Sequence, residues 1–385
     1  PGSQSGTPEY FFVLGDTLYF SGRTSSASNA TWRTNGTAQG TVLISSTCGT
    51  NPNCHFAGMT EYNGSIYGQG YDSSGGRELF VMNGTTWQML VDLSPGSHFG
   101  VPKMTNPSHL TVLNGWLYFD TTLGMIYRTN GTSAGTTQFT TGTTKGYTPM
   151  QVFKNELYFV AQGTGASGYE LWKSDGTAEG TSMVKDIQPG GNDGFIGTGI
   201  NNRAVFKGEY YFTGLSSNSV GQELWKSDGT EAGTVMVKDI RSGQWGSYAG
   251  STGITVIGNT LYFQADDGTN GAELWKSDGT EAGTVMVKDI NSGNQDSSFP
   301  KYLAAVGNTL YFRAVDGTHG AELWKSDGTE AGTVMVKDIR PGTDSGNPGE
   351  STYWLTVIGN TVFFDANDGI HGYELWKSDG TEAGT

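Results

Sequence analysis

Basic residues are scarce in this chain of 385 residues. Lys and Arg number 22 against 37 Asp and Glu, which gives a formal net charge of −15. Nucleic acids and anionic membranes attract proteins through clustered positive charge, so the composition argues against both as partners. The sequence also lacks a long apolar run, which argues against insertion into a membrane. An acidic surface is compatible with cation binding or with solubility in salty surroundings.

Cysteine occurs only twice, at Cys48 and Cys54, with turn-forming residues between them. This spacing does not fit a zinc knuckle, and no second pair of Cys or His completes one. It favours a local disulfide that closes a short loop and contributes about 2–3 kcal/mol at most in the chain-entropy model. A disulfide indicates an oxidising compartment, so we predict an extracellular or cell-surface location.

Histidine is also rare, and the five copies show no Ser/His/Asp or Cys/His arrangement. Gly-rich phosphate-binding motifs are absent from any strand-to-helix context. With no catalytic constellation visible, we predict a protein that is not an enzyme. Carboxylates are plentiful, so a glycosidase-like pair stays open. Nearly every Asp and Glu belongs to a repeat, however, which favours a role in the scaffold.

An internal repeat dominates the sequence. The run Glu-Leu-Trp-Lys-Ser-Asp-Gly-Thr occurs five times, at intervals of about 50 residues, as expected for a copied supersecondary unit. Degraded copies extend the repeat upstream, and the position of the Trp is held there by Trp32, Phe80 and Tyr127. Eight units therefore cover the chain, and we predict a single domain over residues 1–385. The Trp residues of the full copies are Trp172, Trp225, Trp275, Trp324 and Trp376.

Each unit contains four short segments rich in β-branched and aromatic residues, joined by Gly-rich turns. In the clearest copy these segments, named strands a, b, c and d, begin at Ile254, Thr260, Ala272 and Thr284. Strands b and c are apolar on both sides, as expected for a sheet that packs between two neighbours. Four-stranded antiparallel units of this length are typical of propeller blades, so we predict an all-β, eight-bladed β-propeller.

The last predicted blade lacks its outer strand, because the sequence reaches Thr385 where other copies continue into strand d. No replacement is visible near Pro1, so we interpret the sequence as an excerpt of a longer repeat protein. A strand donated by a neighbouring chain is the alternative. The predicted blades cover residues 9-45, 58-93, 109-140, 150-187, 202-240, 254-290, 302-339 and 354-385.

The c–d hairpin allows a prediction of strand register. Pairing across its turn places Trp275 opposite Met286 and Glu273 opposite Lys288. We therefore predict an aromatic–thioether contact beside a structural ion pair. Each such cross-strand pair is worth about 0.2–1 kcal/mol.

The repeat, followed by Gly-Thr and Lys-Asp-Ile, resembles the ELWxxDGT repeat family of secreted bacterial proteins. The resemblance is strong over residues 151–385 and weak before them, and it implies export and repeat architecture but no activity. The Ser-Asp-Gly-Thr turn also resembles the Asp-box hairpin of sialidase-type propellers. That resemblance implies a structural role for Asp175, Asp228, Asp278, Asp327 and Asp379. The first three units carry Asn35, Asn83 and Asn130 instead, and Asn tolerates the same left-handed turn geometry.

Antiparallel connectivity sorts the turns into two sets. The a–b and c–d turns lie at one end of the strands and are nearly identical between units. The b–c turns and d–a connections lie at the other end and vary, so we predict that this binding face carries specificity. Clustered oxygens in the b–c turns suggest Ca²⁺, with plain turn geometry as the alternative. The candidate ligands are Asp266, Asp267, Asp316 and Asp368.

Two of these turns carry histidine. His319 and His371 occupy the slot that Asn270 fills in the sixth unit. Because Asn and His alternate there, we interpret the slot as a polar turn position and not as a shared metal ligand.

The d–a connections carry aromatic residues, on which sugar rings could stack. The sequence around Phe299 echoes that around Phe99, so we predict that these two rings pin their connections onto the core. Four aromatic residues without such an echo are the candidate ligand-binding residues, namely Trp245, Tyr248, Tyr353 and Trp354.

These observations predict an exported, non-enzymatic module that acts in cell-surface adhesion or extracellular-matrix assembly. Its expected partner is a glycan, a surface or matrix protein, or another copy of itself, and no cofactor is required. A lectin that uses the binding face is the first alternative. A carbohydrate-active enzyme is the second.

Overall fold

The computed structural model is an eight-bladed β-propeller whose last blade has three strands, which confirms the predicted fold class. Its described residues form strands and turns and no helix, so none of them belongs to a helix that could cross a membrane. The structure describes residues 8–23, 29–45, 56–71, 76–93, 97–98, 101–102, 106–122, 124–139, 143–146, 150–163, 168–194, 202–216, 220–293, 296–350 and 355–385.

The first four blades contain strands β1 to β19. The first blade consists of Glu9–Leu14 (β1), Thr17–Arg23 (β2), Asn29–Thr34 (β3) and Val42–Ser45 (β4). The second consists of Ala57–Tyr62 (β5), Ser65–Tyr71 (β6), Arg77–Asn83 (β7) and Thr86–Val91 (β8). A separate two-stranded sheet of Ser97–His98 (β9) and Val101–Pro102 (β10) follows. The third blade consists of Ser108–Leu113 (β11), Trp116–Asp120 (β12), Ile126–Thr129 (β13) and Thr137–Phe139 (β14). The fourth consists of Thr143–Gly146 (β15), Gln151–Phe153 (β16), Glu156–Gly163 (β17), Tyr169–Ser174 (β18) and Ser182–Lys185 (β19).

The remaining blades contain strands β20 to β34. The fifth consists of Arg203–Phe206 (β20), Glu209–Leu215 (β21), Gln222–Ser227 (β22) and Val235–Lys238 (β23). The sixth consists of Ile254–Ile257 (β24), Thr260–Asp266 (β25), Ala272–Ser277 (β26) and Val285–Lys288 (β27). The seventh consists of Lys301–Val306 (β28), Thr309–Val315 (β29), Ala321–Ser326 (β30) and Val334–Lys337 (β31). The eighth consists of Thr356–Ile358 (β32), Thr361–Asn367 (β33) and Tyr373–Ser378 (β34).

Packing divides the chain into two compact units. The described parts of residues 6–165 and 171–183 form one unit, and those of residues 166–170 and 184–385 form the other. In each unit the strands of a blade pair antiparallel and in chain order, apart from β15, which pairs with β17 beside β16.

A repeated apolar cluster explains why strands b and c are buried on both sides. Tyr211 of strand b lies in one buried cluster with Phe263 and Trp275 of the following blade. The same Tyr, Phe and Trp positions recur together one blade later, and again in the eighth blade. In these three pairs of blades, one blade thus covers the apolar side of the next, which a single sheet could not bury alone.

The c–d register confirms one predicted pair and corrects the other. Trp275 lies opposite Met286, as predicted, but a bulge between Leu274 and Trp275 shifts the ladder so that Lys288 faces Leu274. The predicted pair between Glu273 and Lys288 is therefore wrong. An extra residue in one strand displaces everything beyond it by one position.

The lysine of strand d instead links successive blades. Lys288 Nζ donates a hydrogen bond of 2.9 Å to the carbonyl oxygen of Thr333, at the end of the next c–d turn. The same bond joins Lys185 to Thr234, Lys238 to Thr284 and Lys337 to Thr385.

Candidate binding face

In the c–d turns that carry aspartate, the carboxylate accepts hydrogen bonds from the turn that follows it. Asp278 Oδ1 accepts hydrogen bonds from the backbone nitrogen of Thr280 at 2.9 Å and from its hydroxyl at 2.7 Å. Thr280 Oγ1 in turn accepts from the nitrogen of Gly283 at 3.0 Å. A Cβ at Gly283 would collide with the Asp278 carboxylate, which explains the glycine. The bonds from Thr280 lower the pKa of Asp278. The predicted structural role of this aspartate is confirmed, and the same bonds form at Asp175, Asp228, Asp327 and Asp379.

Two of the three asparagines at this slot form the same turn as the aspartates, although the left-handed φ falls on the following glycine, Gly36 or Gly131, and not on the asparagine as expected. Asn35 and Asn130 accept from the residue two positions on, at 3.2 and 3.1 Å, as Asp278 does. Asn83 does not, because β7 and β8 are joined by a shorter turn and its amide donates to Gln88 Oε1 at 2.8 Å. The expectation of a common turn geometry is therefore corrected for the second blade.

The glutamate of the repeat has a role that the sequence did not reveal. Glu273 is fully buried, and its Oε2 accepts from the nitrogen of Ile290 at 2.9 Å and from Ser298 Oγ at 2.6 Å. Its Oε1 accepts from the nitrogen of Ser298 at 2.8 Å. One carboxylate thus fastens strand c to the end of strand d and to the d–a connection. Glu170, Glu223 and Glu322 hold equivalent nitrogens in the same way.

Burial of these glutamates has an electrostatic consequence. Removal from water disfavours a charged carboxylate, and it raises the pKa of Glu273 to about 7 in spite of the hydrogen bonds that the carboxylate accepts. Burial is also the main cause that raises the pKa values of Glu170, Glu223 and Glu322 to about 7.

The candidate calcium turns use their oxygens internally. Asp316 Oδ1 accepts from the nitrogens of Thr318 and His319, both at 2.9 Å, while Oδ2 lies 2.7 Å from His319 Nδ1. Burial raises the pKa of Asp316, but these hydrogen bonds outweigh it and bring the pKa down to about 2. Asp368 with His371, and Asp267 with Asn270, form the same turn. The interpretation of the His and Asn slot as a polar turn position is confirmed.

Calcium binding stays a prediction, and the donors present fit it poorly. Asp266 Oδ1 accepts from the nitrogen of Gly268 at 2.6 Å, and its other oxygen pairs with Arg241. Calcium takes six to eight oxygen ligands, whereas each turn offers one or two carboxylates that already have partners. In the ranges that the structure describes, no three His, Cys, Asp or Glu side chains are grouped to hold a metal.

Exposed aromatic rings lie on the d–a connections of the binding face. Trp245 is 63% exposed, Tyr248 44% and Phe299 48%. The expectation that Phe299 pins its connection onto the core is therefore wrong, and the adjacent Pro300 is buried instead. Tyr353, Trp354, Phe99, Cys48 and Cys54 lie outside the described residues.

Tyr248 and Phe299 occupy equivalent positions, which corrects the view that Tyr248 has no counterpart. The nitrogen of Tyr248 donates to Gln222 O at 3.1 Å, and that of Phe299 donates to Ala272 O at 3.1 Å. Both have left-handed φ angles, 54° and 46°, which bulky side chains rarely adopt. Asn347 fills the slot one blade later, with a φ of 49°. Differences in connection length hid this equivalence in the sequence.

The connection that carries Tyr248 is anchored on two sides. Ser247 donates its nitrogen to Glu223 Oε1 of the fifth blade at 3.0 Å. Its carbonyl oxygen accepts from the nitrogen of Asp266 in the sixth blade at 2.9 Å. Because the preceding residue is fixed to both blades, the exposed ring stands on an ordered backbone.

Comparison with known proteins identifies the fold and no family. No protein-family profile matches the chain, and no curated protein matches it. The chain is similar in structure to the computationally designed protein Ika8, with a TM-score of 0.51, 13% identity, and 97% of each chain covered. It is also similar to BamB from Moraxella catarrhalis, with a TM-score of 0.50, 15% identity, and 96% of this chain and 93% of BamB covered.

A third similar structure is a puromycin-hydrolyzing peptidase from Mycobacterium tuberculosis. The TM-score is 0.52 at 11% identity, and the match covers 99% of this chain but 54% of the peptidase. This chain thus spans about half the length of that enzyme. At such identities the likeness shows the fold alone.

One Ser, His and Asp group occurs in the third blade, and its geometry differs from a nucleophilic triad. Asp120 is buried, and it accepts from Ser108 Oγ at 2.6 Å and contacts His109 Nδ1 at 2.8 Å. The hydroxyl and the imidazole both bond to the carboxylate, whereas an activated serine bonds to the imidazole. His109 has a φ of 52° at a strand bulge, which explains why neighbours in sequence reach one carboxylate.

Proposed function

We propose that this protein is a non-enzymatic, exported binding module that attaches to surface or matrix polymers through its binding face. The observation that carries the proposal is the set of exposed rings at Trp245, Tyr248 and Phe299 on connections fixed to the propeller. Exposed aromatic side chains on an ordered backbone are typical binding anchors, since they offer a large contact area at low entropic cost.

The chemistry of the carboxylates supports a binding role over catalysis. The buried glutamates bond to backbone nitrogens, and the turn aspartates bond to their own threonines. A group that is committed to holding backbone is poorly placed to transfer a proton to a substrate. The repeated acidic residues therefore act as scaffold in this proposal.

A lectin is the second candidate, and the exposure of Trp245 favours it. An indole ring that is 63% exposed, three residues from the exposed Tyr248, offers a flat surface on which a sugar ring could stack. The two candidates differ in ligand and not in the residues that make contact.

Binding of the purified chain to a glycan array and to a panel of immobilised matrix proteins and polysaccharides tests both candidates. We expect Trp245→Ala combined with Tyr248→Asn to weaken binding by at least about tenfold, because such anchors dominate interface energy. Val285→Ala, which trims an exposed apolar side chain on strand d, is the matched control and should bind normally. Glycan binding would support the lectin, and binding to matrix proteins alone would support the adhesive module. Polysaccharide turnover that one carboxylate variant abolishes would contradict both.

A further inference from the structure

The junction between the third and fourth blades differs from the junctions that follow it. Lys185, Lys238 and Lys288 of strand d each donate from Nζ to the carbonyl oxygen of a threonine at the end of the next c–d turn, at 2.8, 2.8 and 2.9 Å. Thr181 holds the corresponding position in the fourth blade, where its hydroxyl bonds to Ser174 as in the other copies. Strand β14, which is strand d of the third blade, reads Thr-Gln-Phe. It therefore supplies no lysine to this junction.

A groove with a volume of about 280 Å³ lies at this junction. Arg128, Gln138 and Phe139 of the third blade line one side, and residues 176–179 of the fourth blade line the other. Gln138 and Glu179 are exposed, whereas Phe139 is buried. The groove thus combines polar groups with an aromatic ring, and these surroundings suit an alkyl chain that ends in a charge.

Arg128 leaves room in the groove for a second cation. Its guanidinium donates to the carbonyl oxygen of Gly176 at 3.0 Å and lies 4.6 Å from the centre of the Trp116 ring. Lys276 of strand c makes the same bond to the next c–d turn at 2.9 Å. At that later junction Lys276 and Lys288 bind two carbonyl oxygens of one turn at the same time. Two cations therefore fit side by side in this arrangement.

The fourth blade adds a carboxylate to the groove that the later copies do not place there. Its turn reads Ala178-Glu179, whereas the later copies have Glu before Ala, as at Glu281-Ala282. This exchange brings Glu179 into the lining of the groove. Because a carboxylate attracts cations and the chain has a net charge of −15, the groove favours a positively charged ligand.

We propose that this groove binds a primary alkylammonium group, such as that of a lysine side chain or of a free polyamine. The ammonium group donates to the carbonyl oxygen of Thr181, as Lys288 does to Thr333, and pairs with the Glu179 carboxylate. Its three N–H donors allow both contacts at once. The alkyl chain lies against Phe139. The site belongs to the c–d end of the strands, opposite the binding face, so it does not depend on the proposed function.

Titration of cadaverine, a linear diamine, into isotopically labelled protein tests the site by NMR. We expect saturable shifts of the amide signals of Phe139 and residues 177–179, with no such shifts in the equivalent turn at residues 280–282. Binding should weaken as the salt concentration rises, because salt screens the ion pair. Tetramethylammonium, which carries the charge without an N–H donor, should bind much more weakly.

Two glutamine variants change the net charge equally and separate the local carboxylate from general attraction. Glu179→Gln should weaken cadaverine binding by about two- to fivefold, the range expected for an exposed ion pair. Glu281→Gln, at the equivalent turn of the sixth blade, is the matched control and should leave binding unchanged. Gln138→Lys places an ammonium group of the chain itself in the groove. It should abolish binding while circular dichroism shows a folded protein.

The titration of the unmodified protein decides the proposal even without the variants. Absence of saturable shifts at the groove, or equal binding of tetramethylammonium, would overturn it. Equal weakening by Glu179→Gln and Glu281→Gln would also overturn it, because binding would then reflect the overall charge. Nα-acetyl-lysine methylamide distinguishes the two sources of the ammonium group. Tighter binding of this blocked lysine than of cadaverine would support a protein partner, and the reverse order would support a free polyamine.

Discussion

The c–d turn depends on one side-chain oxygen. Asp278 Oδ1 accepts two hydrogen bonds from Thr280, and Asn130 uses its single amide oxygen for the same pair of bonds. These hydrogen bonds thus do not require the negative charge of the aspartate, since a neutral amide oxygen accepts them as well. Asx residues stabilise turns in this way because the side chain mimics a backbone acceptor.

Two replacements of Asp278 distinguish the contribution of its side-chain oxygen from that of its negative charge. We expect Asp278→Ala to lower the melting temperature clearly, because the nitrogen and hydroxyl of Thr280 lose their acceptor. Asp278→Asn should lower it much less, since Asn35 and Asn130 show that the amide suffices. Thermal unfolding followed by circular dichroism measures both. An Asn variant as unstable as the Ala variant would contradict this reading of the turn.

At the scale of the element, the d–a connection that carries Tyr248 combines a left-handed backbone with an exposed ring. Tyr248 adopts a left-handed backbone and exposes its ring, so its side chain gives little packing in return. Strained residues tend to gather at functional sites because the surrounding structure holds them in place. Asn347 fills the same slot in the last connection. A left-handed φ costs Asn less free energy than it costs Tyr.

The pair Tyr248→Asn and Asn347→Tyr tests this cost. We expect Tyr248→Asn to stabilise the protein by about 1 kcal/mol, since Asn tolerates the left-handed region. The same change should reduce ligand binding. Asn347→Tyr, the reverse exchange at the equivalent slot, should destabilise by more than this amount, because it also removes the hydrogen bonds of Asn347 with Arg313 and Tyr373. Chemical denaturation measures both, and a loss of stability in Tyr248→Asn would show that the ring packs usefully.

The sequence predicted the blades because strand propensity, turn residues and spacing repeat in every unit. It also predicted that Trp275 lies opposite Met286, which depends only on local pairing near a turn. It could not predict the bulge beyond Trp275, because alternation of side chains does not reveal an inserted residue. Nor could it place Ser298 beside Glu273, since that contact forms through a connection of variable length.

Four of the buried glutamates give the protein a distinctive dependence of stability on pH. Glu170, Glu223, Glu273 and Glu322 have pKa values raised from 4.5 to about 7. Their favourable contribution is therefore complete below pH 4.5 and is lost as the pH rises through 7. The aspartates of the b–c turns change stability with pH in the opposite sense. The pKa values of Asp316 and Asp368 are lowered to about 2, so their contribution is lost as the pH falls below 3.8.

We therefore expect maximal stability between about pH 4 and 5, with a decline toward pH 8. Each glutamate adds about 3 kcal/mol at most to that decline, because one pKa unit corresponds to about 1.4 kcal/mol. Glu273→Gln should lower stability overall but flatten the decline, since the amide does not ionise. Thermal melts from pH 3 to pH 8 measure the profile. Constant stability between pH 5 and pH 8 would contradict the assignment.

The repeated residues hold the propeller together, and in the proposed function the exposed aromatic residues of the d–a connections bind the ligand. The most direct test measures ligand affinity and melting temperature together for two variants. The double variant Trp245→Ala and Tyr248→Asn should lose affinity at an unchanged or slightly higher melting temperature. Asp278→Ala should lose melting temperature and, while folded, keep its affinity. The reverse pattern, in which the turn variant loses binding and the aromatic variant keeps it, would contradict the account.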